Sequence, residues 1–140
     1  MYDPSVWLGT YSIQSGCDQS TCCCAQTSTI TDSNDGSTYT ITGSNLAGQC
    51  GSSPPSSVTA KATKPTSNTV TYSVDGESHT ATRSDDGNTL YDSNASSAAC
   101  SAYLVKSSSI TSSSMATASA SSGLLAALMV VAWVVLKHSL

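Results

Sequence analysis

Phenylalanine is absent from this 140-residue chain, and charge is scarce: Asp, Glu, Lys and Arg together make up 10% of it. The five basic residues are scattered and form no cluster. Nucleic-acid-binding surfaces need a basic patch, so no nucleic-acid partner is expected. The segment from Met1 to Ser112 carries nine acids and four bases, which also disfavours direct contact with anionic lipid head groups. There is no phosphate-binding glycine loop and no interleaved aromatic-basic surface for single strands. Histidine is nearly missing too: His79 and His138 are the only two.

That scarcity limits the chemistry. A Ser-His-Asp site would have to use His79, because His138 lies in an apolar tail. Serines are so frequent that one near His79 carries no information. The alternation Ser78-His79-Thr80-Ala81-Thr82 reads as a strand, with His79 a surface or cross-strand residue. Paired carboxylates of the glycosidase kind would be sought among Asp75, Glu77, Asp85 and Asp86. All four sit beside turn glycines, where acids have local reasons to occur. Asp32-Ser33-Asn34-Asp35-Gly36 begins like a calcium loop, but glycine falls at position five and Gly43 at position twelve, where glutamate is required. A hairpin turn explains it. No catalytic residue, metal or cofactor is expected.

What the chain does have is an apolar C-terminus. Leu124 to Leu136 is 13 residues without charge, followed only by Lys137-His138-Ser139-Leu140. At ~1.5 Å per helical residue it reaches about 20 Å, short of a ~30 Å hydrocarbon core. A Ser/Ala/Thr tract at 107–122 precedes it. Small residues, a polar spacer and a terminal apolar tail form the attachment signal for a glycosylphosphatidylinositol (GPI) anchor. Ser112 is the expected attachment residue, with Ser113 and Ser114 following and nine residues from Met115 to Gly123 as spacer. Ser114 is the second choice, and a short membrane helix is the alternative. Met1-Tyr2-Asp3-Pro4 shows no signal peptide, so the chain is expected to begin near a mature N-terminus. The organisation is then a domain over 1–106, a stalk over 107–122 and a removable signal over 123–140.

The domain has few large apolar side chains, and ordering its backbone costs ~1–2 kcal/mol per residue. Six cysteines offer the missing constraint: Cys17, Cys22, Cys23, Cys24, Cys50 and Cys100. An even count in a small Ser/Thr-rich domain reads as three disulfides in an oxidising, extracellular compartment. Zinc would want paired cysteines or nearby histidines, and Cys50 and Cys100 stand alone. If no bridge forms inside Cys22-Cys23-Cys24, each pairs with one of Cys17, Cys50 and Cys100, which leaves six connectivities open. Asn94-Ala95-Ser96 is the only N-glycosylation sequon, making Asn94 a candidate glycan site.

Period-two alternation predicts an all-β domain. Val70-Thr71-Tyr72-Ser73-Val74 puts apolar groups on one face and hydroxyls on the other. Asp35-Gly36, Asp75-Gly76 and Asp86-Gly87 supply hairpin turns. Eight strands are predicted over Val6–Gln14, Thr27–Ser33, Ser37–Asn45, Ser57–Thr63, Thr69–Asp75, Ser78–Ser84, Asn88–Asp92 and Ser101–Lys106. An antiparallel up-and-down barrel is the simplest architecture, since closure removes exposed edges; a two-sheet sandwich is the alternative.

Trp7-Leu8-Gly9-Thr10-Tyr11 resembles the opening of the calycin superfamily, the lipocalins and fatty-acid-binding proteins, whose first strand carries an aromatic, a glycine and a second aromatic. Tyr11 stands where that pattern usually has tryptophan, and the Cys22-Cys23-Cys24 triplet is foreign to it. The resemblance implies a barrel in which Lys106 packs over the first-strand aromatic. Trp7, Tyr11, Tyr72 and Lys106 are the candidates for core or ligand contact. Thr and Ala facing inward predict a solid barrel with little room for a ligand. The expected function is non-enzymatic: a GPI-anchored surface coat, adhesion or recognition module with a surface protein or glycan as partner. The alternative is a carrier of a small apolar ligand.

Overall fold

The computed structural model describes residues 2–107, so Ser112, Ser114 and the apolar tail lie outside the described residues. Eight antiparallel strands close into a barrel in simple up-and-down order. They are β1 (Gly9–Gly16), β2 (Cys23–Asp32), β3 (Thr38–Gly48), β4 (Ser57–Thr63), β5 (Thr69–Val74), β6 (Glu77–Arg83), β7 (Thr89–Asn94) and β8 (Ala102–Lys106). Closure is made by β1 and β8, which pair from Tyr11↔Lys106 to Gly16↔Ala102 with one register shift between Ile13 and Ser15.

The period of two decides which side chains enter the barrel. Tyr39 and Ile41 on β3, Ala60 and Ala62 on β4, and Ala102 and Leu104 on β8 are buried at alternate positions. The residues between them, Thr40, Lys61 and Tyr103, point to the outer face. The β5–β6 hairpin turns on Asp75 and Gly76, with φ of 49° and 83°. Two successive positive values are what a tight two-residue hairpin needs, and Asp-Gly accepts them at little cost.

Strand ends differ from the sequence prediction in several places, β3 running on to Gly48 rather than Asn45 for example, and two of the differences move residues that matter. Val6 and Trp7 do not begin β1; they belong to a 3-10 helix at Pro4–Trp7, with proline in its first turn and Asp3 accepting from the Ser5 amide at 2.9 Å. β2 starts earlier than expected, at Cys23, so two of the three adjacent cysteines lie on a strand.

The N-terminal 3-10 helix plugs one end of the barrel. Trp7 and Tyr11 are fully buried there, with Tyr39 beside them. Phenols fasten the plug to the wall: Tyr11 donates to the Trp7 carbonyl at 2.9 Å, and Tyr39 donates to the Pro4 carbonyl. Burial pushes the Tyr39 phenol up to about 12, so it remains a donor. Lys106 places Nζ 5.6 Å from the centre of the Tyr11 ring and donates to the Val6 carbonyl at 3.3 Å. Gly9 makes room for this arm: a Cβ there would lie 2.7 Å from Lys106 Cε, and its φ of 145° strains any other residue.

Among the described residues, the opposite end has no such plug. It carries the β1–β2, β3–β4, β5–β6 and β7–β8 links, and all three disulfides. Cys17 bonds Cys24, Cys22 bonds Cys100 and Cys23 bonds Cys50. Each member of the triplet therefore bonds outside it, in one of the six expected connectivities. The adjacent Cys23 and Cys24 on β2 reach different partners because neighbouring strand residues point to opposite faces.

Candidate functional site

The open end leads into a cavity of about 390 Å³. Every strand contributes to its wall, including Ile13, Ile30, Ile41, Ala60, Tyr72, His79, Leu90 and Leu104. This corrects the expectation of a solid barrel. The radius of a closed barrel is set by strand number and stagger, so the wall cannot shrink onto small side chains. Ala25, Ser28, Gly43, Ala60, Ala81 and Ala102 line this half. They leave the volume empty where larger residues would fill it.

One side of the cavity is polar. Tyr72 on β5 and His79 on β6 are directly opposite in register, and their rings stack with centres 5.2 Å apart. Both reach Asp92 on β7. The Tyr72 phenol donates to Oδ1 at 2.8 Å, and His79 Nδ1–H donates to Oδ2 at 3.0 Å. A carboxylate can only accept here, which places the proton on Nδ1. The side chains of His79 and Asp92 are 14% and 18% exposed. The bond to Asp92 is the largest influence on His79 and raises its pKa above the usual value, against the smaller effect of burial. Burial and the Asp92 charge hold the Tyr72 phenol far above its ordinary range. Tyr72 is thus a fixed donor rather than a nucleophile.

Glu77, at the start of β6, accepts from Asn94 Nδ2 at 2.8 Å. Asn94 Oδ1 accepts from the Ser96 and Ser97 amides at 2.8 and 3.1 Å. Asn94, the candidate glycan site, is therefore 5% exposed and lines the cavity rather than standing on the surface.

The sequence candidates separate by position. Tyr72, His79, Asp75 and Glu77 line the cavity, whereas Trp7, Tyr11 and Lys106 belong to the plug and do not. Asp85 and Asp86 lie in the β6–β7 link at the plugged end, away from Asp75 and Glu77. Asp86 accepts from the Ser84 hydroxyl at 2.6 Å and the Asn88 amide at 2.9 Å, which is turn chemistry. Asp35 accepts from the Ser37 and Thr38 amides, so the apparent calcium loop is a hairpin turn. Among the described residues, no three His, Cys, Asp or Glu side chains are grouped to hold a metal.

Asp92 is the residue that sequence reasoning missed. Its signal was the inward series Leu90-x-Asp92-x-Asn94, with a carboxylate at a position whose neighbours two residues away are buried. No protein-family model matches this chain, and no match was found among the curated proteins or the solved structures.

Proposed function

We propose that the domain is an extracellular recognition module that binds a small, largely apolar molecule inside its barrel. The cavity carries this reading. Its volume falls within the ~300–1,000 Å³ usual for small-molecule sites, and its wall combines aliphatic side chains with a few polar groups on one side. Lys106 over Tyr11 adds to the calycin resemblance seen in the sequence. The three disulfides fit an oxidising compartment. The role proposed is non-enzymatic, with the Tyr72 phenol and His79 Nδ1–H both held by Asp92 as a fixed polar wall.

The test is titration of the disulfide-intact barrel with a neutral naphthylamine probe whose emission rises in apolar surroundings. Saturable 1:1 binding, lost in Ala60→Trp and weakened in Leu90→Ala, is the expected result. A folded wild-type barrel that leaves the probe dark overturns the reading. Trp7 emission is a poor reporter, because Trp7 sits in the plug.

Surface display by a GPI anchor at Ser112 is a separate proposal that rests on the sequence of the tail. Phosphatidylinositol-specific phospholipase C should release the protein from intact cells that express it behind a functional signal peptide. Retention under conditions where a known anchored protein is released would remove it.

A further inference from the structure

The charges of the barrel are unevenly placed. The bases Lys61, Lys64, Arg83 and Lys106 all lie toward the plugged end. Lys61 pairs with Thr40, Lys64 donates its amide to Ser37, Arg83 ends β6 and Lys106 ends β8. The open half carries Asp18, Asp75, Glu77 and Asp92, and none of the four bases. Among the described residues, no lysine or arginine lines the cavity, while Asp75, Glu77 and Asp92 do.

The three carboxylates are not equivalent. Asp92 is held between Tyr72 and His79, and a protonated His79 offsets its charge. Glu77 accepts from the neutral Asn94 amide and lies near enough to His79 to favour its charged form. Asp75 sits at the hairpin tip and faces the cavity without a cationic neighbour. Even a protonated His79 is one cation facing Asp92 and Glu77, and it leaves Asp75 unpaired, so the mouth stays net negative. Low-dielectric walls around such a mouth concentrate its field and attract positive charge. An anionic ligand such as a fatty acid would meet repulsion there and no lysine or arginine on the cavity wall; Arg83, the inward base of β6, lies below it beside Tyr11 and Asn68.

Resting on the reading of the cavity as a binding site, we infer that its ligand is a cationic amphiphile: an amine or quaternary ammonium with a short apolar body. The apolar part fills the space between Ile30, Ile41, Leu90 and Leu104. The cationic head lies at the mouth against Glu77 and Asp75. The titratable groups around His79 are Tyr72 on β5, Glu77 on its own strand and Asp92 on β7. Deprotonation of His79 makes the cavity more negative, so affinity for a permanently charged head rises with pH through that titration.

Three probes of matched chain separate the outcomes: octyltrimethylammonium, octanol and octanoate, each displacing the neutral naphthylamine from the disulfide-intact protein. The cation is expected to displace it at roughly tenfold lower concentration than octanoate, with octanol between them. The double variant Asp75→Asn/Glu77→Gln should abolish that preference and leave octanol unchanged. Asparagine tolerates the positive φ at 75, and glutamine keeps an acceptor for Asn94, so the fold is retained. Octanol or octanoate binding as well as the cation overturns the inference and leaves the cavity reading standing. Failure of all three, with the naphthylamine also unbound, overturns both.

Discussion

The two ends of this barrel are closed by different means. At one end, Trp7, Tyr11 and Tyr39 fill the interior and Lys106 reaches across the Tyr11 ring. At the other, small inward residues leave a cavity and three disulfides join the links around its mouth. The plugged end is held by packing, so it needs no covalent help. At the open end the inward side chains border a cavity instead of filling it, and the disulfides tie its links together. A binding mouth and a packed core are competing uses of the same inward positions. The disulfides allow the molecule to have one without the other.

The largest effect should come from breaking the covalent end. Cys22–Cys100 closes a sequence separation of 78 residues. Chain entropy for a loop of that size gives about 4.5 kcal/mol. Cys22→Ala/Cys100→Ala should lower stability by about that amount in urea unfolding, and should weaken probe binding in the fraction that remains folded. An unchanged unfolding midpoint would mean that the mouth is held by packing after all. Next is the plug: Trp7→Ala should cost about 4 kcal/mol, as expected for a fully buried aromatic that leaves a void. Because Trp7 is outside the cavity, affinity per folded molecule should hold, and a parallel loss of affinity would join the two ends into one unit. Cys17–Cys24 spans only seven residues. Its removal as Cys17→Ala/Cys24→Ala should cost about 2.4 kcal/mol by the same reasoning, the smallest of the mouth bonds.

The least effect should be that of pH on the polar wall. His79 has a raised folded-state pKa, so the stability it contributes is complete below its unfolded value of 6.5. That contribution is lost as pH rises through the folded value. Proton NMR of the imidazole should show a pKa above 6.5 in the native barrel and a fall in Asp92→Asn. An unshifted His79 would detach it from Asp92.

Much of the fold was legible because strands announce themselves locally. Val70-Thr71-Tyr72-Ser73-Val74 alternates in sequence and in burial alike, and Asp75-Gly76 turns where expected. The start of β1 was not, because Trp7 is as compatible with a strand as with a plug; Pro4 in the first turn decides for the 3-10 helix. The cavity was hidden for a different reason. Ala60, Ala81 and Ala102 are far apart in sequence, and their smallness means empty space only once the closed wall fixes the radius. The Tyr72–His79–Asp92 cluster needs the register of three strands, of which one pair, Tyr72↔His79, brings two of its members face to face. No single segment carries that information.

The disulfides also matter after the chain is cut. Cys17–Cys24 and Cys22–Cys100 overlap, so every peptide bond from Cys17 to Cys100 lies inside at least one covalent ring. A protease that nicks a surface link there, at Ser52-Ser53 between β3 and β4 for example, opens a bond without releasing a fragment. The strand pairing and the remaining sulfur bridges hold the pieces in register. In a medium rich in secreted proteases, a molecule wired this way can take a single cut in that span and still present its mouth.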